Sequence, residues 1–333
     1  MQRRRLLESV VFGLAAGLPP RARGQNAEAY AQAIAKARTL DQLHALVVVH
    51  DGEVVVAQAF RGPAPDVPVN VKSVSKTIVA LLTGIAINQG ALSGTDARLG
   101  DLIADLIPPG AQPRVQDITV ADLLTMQAGL QRTSGPYYGD WVASSNWVAN
   151  ALGRPFVAEP GAQFLYSTGS FHVLGAVLAR ATGRSLHDLA QSWLGAPLGI
   201  AIPPWTRDPQ GFYLGGNNMA LSPLGMARIG ETVRQGGRWQ GQQVIPAGWI
   251  ETSWQPRTRS PFSGDFYGYG WFLRHLGGAP TAYARGYGGQ MLYVIPEHAL
   301  TVAITSDPTR PARTHGHVGD LNRLVSDSII LAS

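Results

Sequence analysis

A serine and a lysine three residues apart, Ser73 and Lys76, begin the apolar run VKSVSKTIVALLTGIA. If this run is a helix, the two side chains share a face and the amine can reach the hydroxyl. A serine hydroxyl needs a base before it can attack a carbonyl, and lysine can be that base when burial favours its neutral form. Arginine could not lose its proton there, yet the chain has 24 arginines and three lysines. The spacing therefore predicts a nucleophile and its base, with a serine that only caps the helix as the alternative.

Two further motifs stand at the edges of predicted elements. Tyr166 and Thr168 lie in the segment PGAQFLYSTGS, just before an apolar helical pattern. The segment ARGYGGQMLYVIPE places Gly286, Tyr287 and Gly288 immediately before a strand pattern. An ordinary half-buried tyrosine and a plain glycine-rich turn are the alternatives to a functional role for these residues.

The elements that must position these residues follow from the periodicity. The stretch ALVVVHDGEVVVAQAF has two β-branched runs around an Asp-Gly turn, which predicts a hairpin. From Ser73 to about Gly237 the apolar spacing is helical, and strand patterns return in MLYVIP and LTVAITS. We therefore predict an α/β sheet domain from residues 25–72 plus 238–333, with a helical domain, residues 73–237, inserted in it. A site is expected in the cleft between them.

The motifs SVSK, ITVADLLTMQAGL, PGAQFLYSTGS and GYGGQ occur in one order along the chain. In this order the chain resembles the serine β-lactamase and penicillin-binding-protein superfamily, from roughly Leu43 to Ser306. It is most similar to the class C β-lactamase-like branch, and within it to 6-aminohexanoate-dimer hydrolase-type serine hydrolases. The resemblance implies an α/β (α+β) transpeptidase-like fold, an antiparallel sheet flanked by terminal helices with an inserted all-helical domain.

The resemblance also implies catalytic roles. Ser73 would attack a carbonyl and form an acyl-enzyme. Lys76 would take the hydroxyl proton, or would hold the positive field in which Tyr166 takes it, and the sequence leaves both choices open. The oxyanion hole would combine the backbone N–H of Ser73 with that of Tyr287, where Gly286 and Gly288 allow close approach of the substrate.

Several positions depart from the β-lactamases proper and point to the substrate. Thr168 stands where they have asparagine, and no lysine lies near Gly288 to bind a substrate carboxylate. An amide, an ester or a short oligomer is therefore favoured over a penicillin. In the loop TSGPYYGDWVASSNW, Tyr137 or Tyr138 is a candidate to hydrogen-bond the leaving amine, and Asp140 a candidate to attract a substrate ammonium, with simple packing as the alternative.

Two further segments are expected around the cleft. The stretch WTRDPQGFYLGGNN is a candidate for the opposite wall. A group of aromatic residues is expected at the rim: Tyr137, Tyr138, Trp141, Trp147, Trp271, Phe272 and Tyr283.

Composition narrows the classes of partner. The hydrophobic share of 45% and the charged share of 15% are typical of a globular protein. The net charge is +5, but the arginines are scattered without a basic block, so nucleic acid is not expected as a partner. No apolar run after the first residues is long enough for a membrane span. A small-molecule amide or ester is the expected partner, and neither a metal nor another cofactor is needed.

The first residues predict export. Residues 1–24 have a basic start, an apolar middle and small residues at a cleavage position, and the Arg3-Arg4 pair resembles a twin-arginine signal. A periplasmic or secreted protein is expected, with a basic amphipathic start as the alternative.

Taken together, the sequence predicts a serine hydrolase that cleaves a carboxylic amide or ester, such as a 6-aminohexanoate oligomer or a short ester, through an acyl-enzyme. A D-amino-acid peptidase or weak β-lactamase is the first alternative. A ligand-binding module on the same fold without catalysis is the second.

Overall fold

The computed structural model describes residues 29–313 and 316–333, so the predicted export signal at residues 1–24 lies outside the described part. The strands of this part are β1 (Leu43–His50), β2 (Glu53–Ala59), β3 (Val69–Asn70), β4 (Ala220–Leu221), β5 (Arg238–Trp239), β6 (Gln242–Gln243), β7 (Thr258–Arg259), β8 (Phe266–Tyr267), β9 (Phe272–Leu276), β10 (Ala279–Gly286), β11 (Gln290–Ile295) and β12 (Leu300–Ser306).

Eight of these strands form one antiparallel sheet in the order β2-β1-β12-β11-β10-β9-β8-β7. The strand β1 lies between its hairpin partner β2 and the late strand β12, so the two ends of the chain build the sheet together. The predicted hairpin is confirmed: Asp51 and Gly52 connect β1 to β2 with φ values of +48° and +83°, the left-handed pair that a tight turn requires. The strands β3 and β4 form a separate two-stranded ladder.

Ten of the twelve α-helices of the described part lie between β2 and β7. The α-helices of the described part are α1 (Ala31–Thr39), α2 (Val74–Asn88), α3 (Leu99–Leu102), α4 (Val120–Leu124), α5 (Tyr138–Ala143), α6 (Trp147–Leu152), α7 (Thr168–Thr182), α8 (Leu186–Ala190), α9 (Ala196–Leu198), α10 (Pro223–Arg234), α11 (Ala247–Ser253) and α12 (His317–Leu324). A capping box is present at α4, where Thr119 and Asp122 bond each other's backbone N–H groups.

The helix α2 is the element that places the serine and the lysine. It is buried on nearly every face, from Val74 to Ala86, as expected for a helix that is apolar all round. It packs against α7 on one side and against β10 and β11 of the sheet on another. The N-terminus of α2 is therefore held where the helical region meets the end of a central strand.

The helix α10 packs against β1, β11 and β12 of the sheet, although the sequence groups it with the helical domain. The division at residues 72 and 237 stays a prediction. Among residues 29–313 and 316–333, no helix combines the length and apolar character needed to cross a membrane.

Candidate active site

Ser73 begins α2 through an unusual backbone turn. Its φ and ψ values are −74° and −1°, and its hydroxyl makes no capping hydrogen bond. The preceding residue, Lys72, has φ of +50°, which is uncommon for a residue with a side chain. The Lys72 N–H donates to Asn70 Oδ1 at 2.9 Å, and its carbonyl oxygen accepts from the Ser75 hydroxyl at 2.5 Å. The turn is thus fixed by its neighbours, and the Ser73 hydroxyl is free of the capping role.

Lys76 is buried, with 2% of its surface exposed. Its Nζ lies 2.9 Å from Ser73 Oγ and 3.3 Å from Thr168 Oγ1. The same amine donates to the carbonyl oxygen of Gly216 at 2.5 Å. Burial lowers the pKa of Lys76 because the charged form loses its hydration, while the neighbouring Tyr166 phenol opposes this change. The amine that contacts the serine is therefore shifted toward its neutral form.

Tyr166 lies beside this pair. The centre of its ring is 5.0 Å from Lys76 Nζ, and its half-buried side chain lines the cleft in front of Ser73. The chain after Tyr166 is anchored, since the Thr168 N–H donates to Ser134 Oγ at 2.8 Å. The structure thus brings together a hydroxyl, an amine and a phenol from segments about 90 residues apart.

The end of β10 lies directly against the turn that precedes Ser73. A Cβ atom on Gly286 would lie 2.4 Å from the carbonyl oxygen of Val71 and 3.0 Å from Lys72 Cβ. Only glycine permits this approach, because real Cβ atoms do not make contacts this short. The glycine therefore allows the strand end and the serine turn to share one wall.

The backbone after this glycine can supply a second donor. The N–H groups of Ser73 and Tyr287 both lack an acceptor within residues 29–313 and 316–333, and both residues line the cleft. Gly288 has φ of +82°, and a Cβ atom there would lie 2.3 Å from the carbonyl oxygen of Asp307. This turn fits the predicted oxyanion hole, in which two free N–H groups stabilise a developing negative charge.

The cleft has a volume of about 550 Å³, which suits a small molecule. Its walls come from the α2 turn, the start of α5 with the loop before it, the start of α7, the segment before β4, the end of β10, and the start of α12 with the segment before it. The residues that line it are Lys72, Ser73, Ser134, Gly135, Tyr138, Tyr166, Thr168, Asn217, Arg285, Gly286, Tyr287, Gly288, Pro311, Ala312, Arg313 and Val318.

Of the three candidates in the aromatic loop, the structure places one in the cleft. Tyr138 lines it, and the Tyr138 hydroxyl accepts a hydrogen bond from Asn217 Nδ2 at 3.0 Å. Tyr137 and Asp140 are not among the lining residues. The Tyr137 ring lies 5.7 Å from the Arg154 guanidinium instead, and Asp140 is exposed. Neighbouring positions of a helical turn face different directions, so one tyrosine points inward and the other does not.

The expected aromatic rim is wrong for five of its seven side chains, because these five belong to the core, whereas Tyr138 does line the cleft. All five are buried: Trp141, Trp147, Trp271, Phe272 and Tyr283. Three of them have internal hydrogen-bond partners: Trp141 Nε1 donates to the Trp147 carbonyl at 2.9 Å, Trp147 Nε1 to the Val142 carbonyl at 3.1 Å, and the Tyr283 hydroxyl to Asp265 Oδ2 at 2.6 Å. Aromatic content alone does not separate a rim from a core.

Sequence reasoning did not single out two uncharged polar residues of the cleft, Ser134 and Asn217, or its three cations, Lys72, Arg285 and Arg313. Ser134 accepts from the Thr168 N–H and hydrogen-bonds the Thr168 hydroxyl at 2.9 Å. Asn217 lies in the segment predicted to form the opposite wall, and its Oδ1 is buried without a partner in the described part of the chain. The sequence offered one signal for Asn217, its position directly after the pair Gly215-Gly216. A glycine is needed at position 216 because a Cβ atom there would lie 2.7 Å from the carbonyl oxygen of Thr168.

His172 is a buried residue that holds two segments of the chain together. Its Nε2 lies 2.9 Å from Asp208 Oδ2, and both side chains are fully buried. Asp208 also accepts the N–H groups of Gln210 and Phe212. The pair ties α7 to the segment that carries Gly216. Within residues 29–313 and 316–333 no cluster of three His, Cys, Asp or Glu side chains is arranged for a metal.

The antiparallel sheet, the buried helix α2 and the serine and lysine at its start define the class of β-lactamase and penicillin-binding-protein folds. The family model described as Beta-lactamase matches residues 37–326. The chain belongs to this family, and the predicted fold class is confirmed.

Three relatives show the range of this similarity. The 6-aminohexanoate-dimer hydrolase of Paenarthrobacter ureafaciens is 23% identical over 229 residues, covering 62% of this chain and 56% of the relative. The hydrolase EstCE1, described as having promiscuous acyltransferase activity, has a TM-score of 0.73 at 19% identity, over 92% of this chain and 100% of its own. A family VIII carboxylesterase has a TM-score of 0.67 at 18% identity, over 93% and 99%. The matches with the curated relatives span between about a third and little more than half of the relatives' own length.

Proposed function

We propose that this protein is a serine hydrolase that cleaves a carboxylic ester or amide through an acyl-enzyme on Ser73. The observation that carries the proposal is the 2.9 Å contact between Ser73 Oγ and the buried Nζ of Lys76. A lysine in this position has little structural purpose as a cation, because no carboxylate faces it among its hydrogen-bond partners in the described chain. Its neutral form is the chemically useful one.

In the acylation step, Ser73 Oγ forms a bond to the substrate carbonyl carbon and its proton moves to Lys76 Nζ. The carbonyl oxygen becomes an oxyanion and receives hydrogen bonds from the N–H groups of Ser73 and Tyr287. The bond to the leaving alcohol or amine then breaks, and the leaving group takes a proton through the phenol of Tyr166. Lys76, still protonated, returns that proton to the phenol and is neutral again.

In the deacylation step, water attacks the acyl carbon and the same groups act in the reverse order. Water loses its proton to Lys76, and Ser73 Oγ leaves and is protonated again. The net reaction adds one water to the ester or amide, releases an acid and an alcohol or amine, and restores the enzyme.

The substrate class follows from the cleft and from the relatives. The volume of about 550 Å³ fits a short acyl chain with a small leaving group. One relative is named for cleaving the 6-aminohexanoate dimer, an amide, and a structural neighbour is a carboxylesterase. We place this chain with them as a hydrolase of short amides or esters.

A mass-spectrometric experiment tests the nucleophile. The protein is treated with a fluorophosphonate and separately with a p-nitrophenyl ester, with Ser73→Ala as the control. One adduct that maps to Ser73 in the parent protein and is absent from the variant is expected. An adduct at another residue, or full ester hydrolysis by the variant, contradicts the proposal.

The same experiment addresses both alternatives. Slow release of a labelled penicillin from Ser73 would favour the peptidase or weak β-lactamase. A folded protein without any fluorophosphonate adduct or ester turnover would favour a binding module that lacks catalysis.

We also propose export to the periplasm or the medium, supported by the basic and apolar pattern of residues 1–24. Expression in a bacterial host followed by fractionation and intact-mass measurement tests it. A mature periplasmic form that lacks these residues is expected, and an uncleaved cytoplasmic chain contradicts the proposal.

A further inference from the structure

The cleft in front of Ser73 has an uneven charge. Its lining includes three cationic side chains, Lys72, Arg285 and Arg313, and among the described residues it includes no aspartate or glutamate. The remaining lining residues are neutral. A cleft with low-dielectric walls concentrates the field of such charges and attracts ligands of the opposite sign.

None of these cations is neutralised by an ion pair with a carboxylate within residues 29–313 and 316–333. The Arg285 guanidinium lies over the Phe272 ring at 5.3 Å, so its position is fixed by stacking while its N–H groups keep their capacity for a ligand. Arg313 donates one N–H to the Phe262 carbonyl at 3.0 Å. The side chain of Lys72 makes no hydrogen bond in the same part of the chain.

Two of the cations are close in the chain to the reacting residues and line the same cleft. Lys72 immediately precedes Ser73, and Arg285 lies two residues before Tyr287, whose N–H is the second oxyanion donor. An anionic group bound by Lys72 and Arg285 would therefore be held in the same cleft as the scissile carbonyl. The position of the charge on the substrate would then set how the carbonyl meets Ser73.

We infer that the cleft recognises a negatively charged group on the substrate, through Lys72 and Arg285 with Arg313 at the rim. The substrate class is an ester or amide that carries a carboxylate. This inference rests on the proposed hydrolase function and makes it more specific. It also replaces the expected recognition of an ammonium by Asp140, since that carboxylate does not line the cleft. The β-lactamases proper bind a substrate carboxylate with a lysine near the position of Gly288. This chain has no lysine there, and its cations stand at other positions.

Matched esters test the inference on the intact protein. They are p-nitrophenyl hexanoate, mono-p-nitrophenyl adipate with a carboxylate on the acyl side, and 3-carboxy-4-nitrophenyl hexanoate with one on the leaving side. Ser73→Ala serves as the blank for uncatalysed hydrolysis. We expect kcat/KM for one of the anionic esters to exceed that of the neutral ester by about tenfold or more at low salt. The preference should shrink at about 0.5 M salt, where charges are screened over a few ångströms.

Variants identify the cations. Lys72→Gln and Arg285→Gln should each lower the ratio of anionic to neutral kcat/KM by about fivefold or more. The matched controls are Lys36→Gln, an exposed lysine outside the cleft, and Arg257→Gln, an exposed arginine stacked on Tyr269 at 4.0 Å. Neither control should change the ratio. A drop in the ratio that the controls share would contradict the assignment.

Binding separates this inference from the hydrolase proposal. Adipate should bind the Ser73→Ala variant in calorimetry, and adipamide should bind about tenfold more weakly. Equal kcat/KM for all esters, or equal binding of the two ligands, overturns the anion site and leaves the Ser73 hydrolase intact. Adipate binding without any ester turnover or fluorophosphonate adduct supports the anion site and overturns the hydrolase.

Discussion

At the scale of single residues, the choice of lysine over arginine at position 76 carries the chemistry. Lys76 is surrounded by a hydroxyl, a threonine and a backbone carbonyl, and these partners fix the amine without a counter-charge. An arginine could satisfy the same acceptors but would stay protonated, because its pKa is above about 12. This explains why a chain rich in arginine keeps a lysine at this place.

Replacing Lys76 tests this reading. Lys76→Arg keeps a cation but removes the base, so we expect kcat/KM for a p-nitrophenyl ester to fall by about 10³. For Lys76→Met we expect kcat/KM to fall by at least as much. The control Lys36→Arg, on the exposed face of α1, should change nothing. A Lys76→Arg variant within tenfold of the parent would rule out Lys76 as the base.

The pH dependence follows from the lowered pKa of Lys76. Burial shifts the amine toward its neutral form, so the active fraction of enzyme rises with pH through a midpoint below the ordinary lysine value of about 10.4. As the pH falls, Lys76 is protonated and acylation slows. Presteady-state acylation rates measured against pH check this. If the acylation rate no longer rises with pH in Tyr166→Phe but still rises in Lys76→Met, the base is the phenol of Tyr166.

At the scale of elements, the site depends on two chain segments that approach each other at glycines. The end of β10 meets the turn before α2 at Gly286, and the following turn meets the segment after β12 at Gly288. A side chain at either position would push the free N–H groups apart. The glycines at 286 and 288 are therefore requirements of tertiary packing as well as of backbone conformation.

Gly288→Ala should lower kcat/KM for a neutral ester by about 10² or more, because the new Cβ would displace the backbone that carries the Tyr287 N–H. Gly278→Ala is the matched control. Gly278 has φ of +88°, close to the +82° of Gly288, but a Cβ atom there meets nothing within 4 Å. Equal losses in the two variants would show that backbone strain alone, and not the packing against Asp307, explains the effect.

At the scale of the whole molecule, the helical region is tied to the sheet by buried polar contacts as well as by the core. Glu231 of α10 is 1% exposed and accepts hydrogen bonds from Arg234, Gln235 and Thr301. Thr301 belongs to β12, so the carboxylate joins the helix to the centre of the sheet. This cluster lies apart from the residues that line the cleft.

Glu231→Ala should therefore lower stability without changing the chemistry. Leaving the buried partners unsatisfied costs about 3–5 kcal/mol in the free energy of unfolding, measurable by urea denaturation. The exposed Glu251→Ala serves as the control, with a change of about 0.5 kcal/mol or less. At low temperature kcat/KM per folded molecule should stay near that of the parent. A large loss of kcat/KM in fully folded protein would mean that this cluster also positions the site.

The sequence by itself determined the local features. Ser73 and Lys76 share a helix face because their spacing fixes it, and the Asp-Gly hairpin follows from turn chemistry. The helical middle between strands follows from periodicity, and the antiparallel arrangement of the sheet was implied by the family resemblance. These features depend on neighbours within a few residues or on short patterns. The resemblance to the β-lactamase family, which the motifs carry, implied that Tyr166 and the Gly286 turn belong with them.

Only the tertiary structure decided which side chains face the cleft. Tyr138 faces it and Tyr137 does not, five aromatic residues belong to the core, and Asn217, Arg285 and Lys72 line a wall that no spacing rule defines. The reason is physical: a side chain's surroundings are set by segments that are distant in sequence, and a glycine, an aromatic ring or an arginine has the same identity at a rim and in a core. The local sequence fixes how a residue enters its element, and the packing of elements fixes what that residue meets.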